Sequence, residues 1–454
     1  MTHYHRREVL RMLFLGAAGA WVGLAPALAE DTSSPHDEFS IPPGPLSGIG
    51  PLVDTGIDGI QAPRGFGLRA VARHLFDPVS GRFDPFGIGG HPWHKAPDGG
   101  ACFAVPDGGW VYVSNCESKS VGGASALRFD VYGNVEAAYR VLDGTRRNCS
   151  GGATPWQTWL SCEEIVDGLV FECDPFGGPA SARSWPALGC FNHEAVAVDL
   201  HSRSLFLTED AWDGRLYRFQ SAARTSTASG DRLDLENGRL QVLNVSGYED
   251  GGYAQNNFDA RTLHAARWVD VPEPQAPQAQ VRATRLQDRL SVPGTVFRSA
   301  EGIWVHTLPP AQQTVPPGGE RPSRAFVFFA CKGDNRVYAL DIDNGLIETV
   351  FDNTLEALAV HDVDGLVVSP AGDIVVSEDG AATRLIVLRP GQGAVTLLAA
   401  GHARSELTGL AFSPDGSRLY FSSQRGPNLP LRSRGTGVTY ELSIPARFRA
   451  AGPA

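Results

Sequence analysis

The sequence predicts an all-β protein built as a single six-bladed β-propeller, and a repeated pattern supports this prediction. An apolar strand, a turn rich in Pro and Gly, and a second strand of alternating apolar residues follow one another in three segments, 101–118, 364–380 and 408–426. Looser copies occupy 194–219 and 324–345. Pro370 and Pro414 hold the same turn position and lie 44 residues apart, the usual length of a four-stranded blade. Repetition at this period is typical of a propeller.

The first 29 residues have the pattern of an export signal. Arg6 and Arg7 precede a short apolar run that ends in small residues at Ala27 and Ala29. Paired arginines, a short apolar core and a small-residue cleavage site are typical of a twin-arginine signal peptide. We therefore expect residues 1–29 to be removed and the twin-arginine translocase to be a partner during export. The mature protein should be periplasmic or secreted, without a stable membrane anchor.

The rest of the chain reads as an arm and one domain. Residues 30–60 are rich in Pro, Gly, Ser and Asp and predict an extended N-terminal arm. No linker divides residues 61–450, so we expect them to form one propeller domain. A segment near 220–290 interrupts the repeat pattern and predicts an insertion, with a helix around 258–268.

Charge and cysteine content restrict the class of function. The formal net charge is −11, and removal of the signal peptide takes away three arginines and one glutamate, which makes it −13. An acidic chain is a poor partner for nucleic acid, because phosphate backbones need Lys and Arg to neutralise them. The seven cysteines are odd in number, so at least one thiol is unpaired, and their spacing does not define the pairs.

Acidic and amide residues recur at the ends of the apolar strands. They are Asn115, Glu117, Glu163, Glu164, Glu209, Asp210, Glu378 and Asp379, whereas Glu194 and Glu301 begin strands. Because the strands of all blades reach one mouth of a propeller, we expect these residues to converge. Buried like charges repel unless a cation lies between them. Carboxylates suit Ca²⁺, and the thiolate of Cys149 suits a transition metal, so the sequence predicts a mixed metal site.

Seven segments resemble, in order and spacing, the PhoX family of bacterial alkaline phosphatases. They are KAPDGGACFAVPDGGWVYVSN, NCSGGATPWQTWLSCEE, CFNHEAVAVD, LTEDAWDGRLYRF, AEGIW, VVSEDG and SELTGLAFSPDGSRLYFSSQ. The resemblance spans roughly residues 60–430, and the run CSGGATPW is its most specific part. It implies twin-arginine export, a β-propeller fold and hydrolysis of phosphomonoesters with Fe³⁺ and Ca²⁺ in the channel.

The resemblance also implies which residues bind metal. Cys149 matches the iron-binding cysteine of the family, and Glu117 lies in its Asn-x-Glu motif, here with Cys116 in place of the usual His. Successive residues of a strand face opposite sides, so Glu163 and Glu164 remain alternatives. Together with the repeated strand ends, the expected metal ligands are Cys149, Glu163, Glu164, Glu194, Glu301, Glu378, Glu117 and Asp210.

A phosphate-binding arginine is expected close to Glu301. The family has this arginine two residues before the Glu of its Glu-Gly motif, where this chain has Ser299. Arg298 lies one residue earlier, and a one-residue shift turns a strand side chain to the other face unless a bulge absorbs it. We predict Arg298 as the catalytic arginine, with Arg336 as the alternative.

Three functions follow from these features. The resemblance implies an exported metal-dependent phosphomonoesterase that acts on a small phosphomonoester. A Ca²⁺-dependent lactonase or esterase propeller is the first alternative, and it needs acidic and amide ligands without a thiolate. A non-catalytic binding propeller, stabilised by calcium, is the second alternative. Metal content and phosphate release distinguish the three.

Overall fold

A computed structural model describes residues 38–227, 230–248, 262–278, 281, 294–380, 382–427 and 437–449. The chain from Asp37 to Ala454 forms one compact unit. The expected signal peptide lies outside the described residues. No helix in the described part of the chain has the length and apolarity that a membrane crossing requires.

The described strands form six blades around a channel, which confirms the predicted all-β propeller with six blades. Three strands precede the first complete blade, β1 (Leu52–Asp54), β2 (Gln61–Pro63) and β3 (Gly67–Arg73). The first two blades contain β4 (Pro97–Ala104), β5 (Trp110–Cys116), β6 (Ala124–Phe129), β7 (Val135–Leu142), β8 (Asn148–Ala153), β9 (Trp159–Glu163), β10 (Val170–Cys173) and β11 (Arg183–Ser184). In both blades each strand pairs antiparallel with the next along the chain.

The third blade carries additional strands in the region predicted as an insertion. Its elements are β12 (His193–Asp199), β13 (Ser204–Glu209), β14 (Leu216–Ser221), the hairpin β15 (Arg224–Thr227) and β16 (Gly230–Leu233), β17 (Gly238–Val245) and β18 (His264–Asp270). Strand β17 is the fourth strand of the blade, and β18 pairs with β17 as a fifth. The helix expected around 258–268 is therefore wrong where the chain is described: Trp268 pairs with Leu243 and packs against Phe206. The free edge of β17 offers this segment backbone hydrogen bonds, which override its helical pattern.

The remaining three blades complete the ring. They contain β19 (Ala300–Thr307), β20 (Ala325–Cys331), β21 (Arg336–Asp341), β22 (Leu346–Asp352), β23 (Val363–Val368), β24 (Ile374–Glu378), β25 (Arg384–Arg389), β26 (Gly393–Ala399), β27 (Leu407–Phe412), β28 (Arg418–Ser423) and β29 (Val438–Ser443). Short 3-10 helices lie at Pro45–Gly48, Pro179–Ser181, Pro186–Leu188, Pro310–Gln312 and Ala446–Phe448.

Both ends of the domain share the sixth blade. Strand β3 from the N-terminal part pairs antiparallel with β29, from Gly67 opposite Ser443 to Arg73 opposite Val438. Backbone hydrogen bonds between the N-terminal and C-terminal parts of the domain thereby close the ring of blades. Strands β1 and β2 extend the fifth blade through β26.

The hydrophobic core consists of layers between neighbouring blades. Between the sixth and first blades, Tyr112, Phe129 and Tyr420 are fully buried, and the Tyr112 and Tyr420 rings stack with centroids 5.1 Å apart. Equivalent apolar layers fill the other five interfaces. Each fully buried large side chain contributes about 1.5–3 kcal/mol. These apolar layers are therefore the main source of the stability of the ring.

Every blade begins at the same mouth of the channel. In each blade the first residue of the innermost strand pairs with the last residue of the second strand, as Pro97 pairs with Cys116 and Asn148 pairs with Glu163. The other four blades repeat this register. The beginnings of the inner strands and the ends of the second strands consequently lie side by side at this mouth.

Candidate metal centre

Two rings of side chains surround the mouth, and the first comes from the inner strands. Its members are the second residues of β4, β8, β12, β19, β23 and β27, namely Asp98, Cys149, Glu194, Glu301, Asp364 and Thr408. The strand register shifts across this position in five blades and directly after it, at Thr408, in the sixth. Such bulges re-aim a side chain. The same irregularity therefore places one functional side chain per blade around the axis.

The second ring comes from the residues that follow the second strands. Its members are Glu117, Glu164, Asp210, Lys332, Asp379 and Gln424. Glu406, which directly precedes β27, lies among them. The Gln424 amide donates to Asp98 at 2.7 Å and to Glu117 at 2.8 Å, which ties the two rings together.

Four groups of side chains could each hold one cation. Their members are Cys149, Glu164 and Glu194; Asp98, Glu117 and Glu406; Glu194, Glu301 and Asp364; and Asp364, Asp379 and Glu406. In each group the ligand atoms lie within 4.8 Å of one another. Oxygen ligands bind Ca²⁺ at about 2.3–2.6 Å, so two ligands of one ion can be no more than about 5 Å apart. The donor sets therefore fit metal ions without rearrangement of the fold. We call these eight carboxylates and Cys149 the mouth cluster.

Shared carboxylates connect the four groups. Glu194 belongs to the thiol-containing group and to an all-carboxylate group, and Asp364 and Glu406 are each shared between two all-carboxylate groups. The Cys149 thiol donates to Glu194 Oε1 at 3.3 Å. One group thus offers a soft ligand and the other three offer only hard oxygen ligands, which suits a transition metal beside calcium.

Five of the eight predicted ligands lie in the mouth cluster. For two others, Glu163 and Glu378, the next residue in the chain lies there. The structure brings together Cys149, Glu164, Glu194, Glu301 and Glu117 of the sequence prediction. Asp210 lies beside them and acts electrostatically on Glu164 and Glu301, although it belongs to none of the four groups.

Glu163 and Glu378 do not reach the mouth cluster. Each is the last residue of a second strand, and each accepts hydrogen bonds that close its own blade. Glu163 accepts from the backbone of Arg146 at 2.9 Å, and Glu378 binds Arg384 at 2.5 Å. The following residue of each pair, Glu164 or Asp379, points into the mouth because successive residues face opposite sides.

Several cluster residues did not emerge from the sequence. Asp98, Asp364 and Glu406 lie at or before the beginning of inner strands, whereas the acidic pattern in the sequence marks mainly the ends of strands. A usable pattern exists: Asp98, Glu301 and Asp364 each precede a glycine at the beginning of an apolar strand. A Cβ at Gly302 would lie 2.4 Å from the backbone of the next blade, so the glycine permits the close approach of inner strands.

Burial and mutual repulsion dominate the electrostatics of the mouth cluster. Burial, and after it neighbouring carboxylates, raise the pKa of Asp98, Glu194 and Glu406 well above the usual range. For Glu164 the same causes, opposed by Arg147, raise the pKa to about 8. Burial and adjacent carboxylates also raise the pKa of the Cys149 thiol. Without added cations the cluster therefore retains protons at neutral pH.

Three basic side chains contact the mouth cluster within the described residues, and one of them, Arg425, lies 2.8 Å from Glu406. Arg147 lies 3.0 Å from Glu117 and 3.1 Å from Glu164. Lys332 lies between carboxylates of the fourth and fifth blades, 2.6 Å from Asp364. These cations are fewer than the carboxylates around them, so most of the negative charge is left for other partners.

Arg298 lies at the edge of the mouth in the segment that leads into β19. Its guanidinium lies over the Trp212 ring, 5.0 Å from the centroid, and it forms no ion pair within the described ranges. Ser299 has φ of 43° and its N–H bonds to Ala211. Because Arg298 precedes the strand, strand alternation does not dictate its direction. Arg336, the alternative, is bound to Asp352 at 2.6 Å.

A narrow cavity adjoins the mouth cluster, since Asp98, Glu194 and Asp364 are part of its lining. It has a volume of about 120 Å³ and is lined by the inner strands, including Gly152, Val196, Ile303 and Leu410. Ligands that reach the carboxylates from the other end would have to pass this constriction. The open approach is therefore from the mouth.

All seven cysteines are free, so Cys149 is available as a ligand.

Comparisons with known proteins show similarity to one family model and to several solved structures. The family model described as alkaline phosphatase PhoX matches residues 121–170 and 166–314. The structure of Pseudomonas fluorescens PhoX in complex with vanadate, a transition state analogue, is similar with a TM-score of 0.62 and 16% identity, over 89% of this chain and 98% of that chain. A gluconolactonase from Xanthomonas campestris has a TM-score of 0.41 and 11% identity, over 87% and 98% of the two chains. No curated protein sequence matches the chain.

The raised pKa values predict how stability depends on pH when metal is removed. A carboxyl whose pKa is higher in the folded than in the unfolded state stabilises the fold at low pH and loses this contribution as pH rises through the raised value. In the presence of a chelator, the melting temperature should therefore fall between pH 5 and pH 8. Calcium at about 100 times its Kd should restore about 2.7 kcal/mol at pH 8 per bound ion. Thermal unfolding at the two pH values measures both effects.

A control lies outside the mouth. Burial also raises the pKa of Glu348 to about 8, but this residue accepts a hydrogen bond from Phe39 and belongs to none of the four groups. Glu348→Gln should reduce the pH dependence without changing the response to calcium. A chelated protein whose stability rises from pH 5 to pH 8, or ignores calcium, would contradict the electrostatic description.

Proposed function

We propose that this chain, whose residues 121–170 and 166–314 match the family model of PhoX alkaline phosphatases, hydrolyses small phosphomonoesters with Fe³⁺ and Ca²⁺ held by the mouth cluster. The single observation that supports this metal content is the set of four connected donor groups, of which one includes a thiol. Cys149, Glu164 and Glu194 would hold iron, because thiolate is a ligand for transition metals. Calcium would be held by all-carboxylate groups of the cluster.

The residues of the mouth have distinct tasks in this proposal. The chemistry supplied by such ions when bound is stabilisation of charge on the phosphoryl oxygens and activation of water. The carboxylates would hold the ions, and positioning with electrostatic stabilisation is most of what phosphoryl transfer requires. Arg298 would bind a phosphate oxygen, since Trp212 supports its guanidinium and no described carboxylate competes for it. A serine or histidine nucleophile is not needed.

The thiol separates this function from the alternatives. A calcium-dependent lactonase or esterase, and a non-catalytic propeller stabilised by calcium, both require oxygen ligands only. Neither explains why Cys149 lies within 4.8 Å of two carboxylates at the centre of the mouth. Iron together with phosphate release from a generic phosphomonoester supports the phosphatase, and calcium alone without phosphate release supports an alternative.

Export and domain limits belong to the same proposal. We propose a twin-arginine signal peptide at 1–29, an arm at 30–60 and the metallohydrolase propeller at 61–450, with the mature protein in the periplasm or secreted. The basis is Arg6 and Arg7 before a short apolar run. N-terminal sequencing of protein from its own host should begin at Glu30, and an intact N-terminus would contradict processing.

The role of Cys149 can be tested by removing its sulfur. Cys149→Ala should abolish bound iron and lower kcat at least about 100-fold, the upper end of the cost of disturbing residues around a metal. The fold should persist, because the blade interfaces hold it. Elemental analysis and a phosphomonoester assay measure the two effects. Cys190→Ala, a half-buried thiol outside the donor groups, is the matched control and should keep its iron. Unchanged iron in Cys149→Ala would refute the assignment.

The role of Arg298 predicts a kinetic effect without loss of metal. Arg298→Ala should lower kcat/KM about 100-fold, the scale expected when one donor to a developing negative charge is removed. Arg298→Lys should recover part of the activity. Arg224→Ala removes an exposed arginine paired with Asp231 and should leave kinetics unchanged. Wild-type kcat/KM in Arg298→Ala would assign phosphate binding to another residue.

A further inference from the structure

Lys332 occupies a position that a metal ion could hold. Its ammonium lies 2.6 Å from Asp364, 3.2 Å from Glu301 and 3.4 Å from Asp379. These carboxylates come from the inner strands of two blades and from the end of a second strand. The ammonium is surrounded by three carboxylates from separate strands, as a coordinated metal ion would be.

Lys332 is the one basic residue of the second ring. The other five residues of the second ring are carboxylates or an amide, namely Glu117, Glu164, Asp210, Asp379 and Gln424. Lysine replaces a negative or neutral group by a positive one at this blade alone. Two donor groups meet here, since Glu301 and Asp364 belong to one and Asp364 and Asp379 belong to the other.

The choice of lysine supports a cation-like role. The chain contains three lysines, Lys95, Lys119 and Lys332, among 39 basic residues, so arginine is by far its usual cation. An ammonium is a compact point charge with three rotatable donors, whereas a guanidinium is planar and suits two-point binding. A point charge can be shared by three carboxylates in the way that a metal ion is shared.

The backbone holds Lys332 in this place. Its N–H donates to Ser299 at 2.9 Å, in the segment that leads into β19, and it follows the last residue of β20. Its side chain is 26% exposed, so the ammonium is largely enclosed by the mouth. The position of the charge is therefore determined by the fold and does not depend on a mobile surface side chain.

We propose that Lys332 is a built-in cation that occupies one cation position of the mouth cluster. The chain would consequently bind one ion fewer than its carboxylates could accommodate. Lys332 would also keep Glu301, Asp364 and Asp379 together before metal is bound. This inference rests on the proposed metal cluster, and it adds that one of the cluster's positive charges is supplied by the protein.

The test is a count of bound ions. Lys332→Met removes the charge and keeps most of the side-chain volume, and after dialysis against calcium this variant should contain one more calcium ion per chain than the wild type. Lys332→Arg retains a positive charge and should bind no additional ion. Lys95→Met is the matched control, because Lys95 contacts Ser120 outside the cluster, and it should match the wild type. Elemental analysis with protein quantification gives the stoichiometry.

Thermal unfolding provides a second readout. With chelator present, Lys332→Met should melt below the wild type because three carboxylates have lost their common partner. Its gain in melting temperature on addition of calcium should exceed that of the wild type, and a variant that folds only with calcium meets the same expectation. Circular dichroism confirms that the compared proteins are folded.

The outcomes separate this inference from the proposed function. If the wild type binds metal and Lys332→Met binds the same number of ions or fewer, Lys332 is not a substitute cation and the inference is overturned. If the wild type binds no metal from solutions of iron and calcium, the proposed function itself fails. A phosphate-binding role for Lys332 predicts unchanged metal content with a raised KM, and that result also overturns the inference.

Discussion

Repulsion among buried carboxylates at one point of the channel is the constraint on which the functional part of this molecule depends. Six inner strands each deliver a side chain to the mouth, and the second strands add a further ring. Burial removes the water that would otherwise screen these charges, which makes their separation costly. Only protons, basic side chains or metal ions can neutralise them. The interfaces between blades supply the stability that permits such an arrangement to persist.

The propeller fold turns a repeated register into a site. One residue in each inner strand lies at a bulge, and a residue at the end of the second strand lies beside it. Because all blades share this register, a single local geometry is repeated around the axis with a different side chain each time. The chemistry of the mouth can therefore vary, from carboxylate to thiol in Cys149 and ammonium in Lys332, without change in the backbone. Lys332 and the Cys149 thiol make these rings different from a simple acidic channel.

The sequence predicted the fold well because its signals are local and repeated. The hairpins at 101–118, 364–380 and 408–426 are the first two strands of three blades, as expected. The site was harder, because strand ends differ by a single residue in register. Glu163 and Glu164 could not be separated before the pairing of Glu163 with Asn148 was known.

Other differences have physical causes of the same kind. The strand at His264–Asp270 looks helical in isolation, and only the open edge of the third blade makes it a strand. Glu406 reaches the cluster from the residue before an inner strand, a position that no blade repeat marks. Contacts between distant segments decide these cases, and sequence periodicity carries no information about them.

Anomalous X-ray diffraction from crystals of the mature protein, isolated from its own host, tests the central claim most directly. Data collected on both sides of the iron absorption edge should give a difference peak between Cys149 and Glu194, and further non-iron density among the all-carboxylate groups. A channel mouth that contains only ordered water at these positions would contradict the account, because the carboxylates would then coexist without the cations it requires.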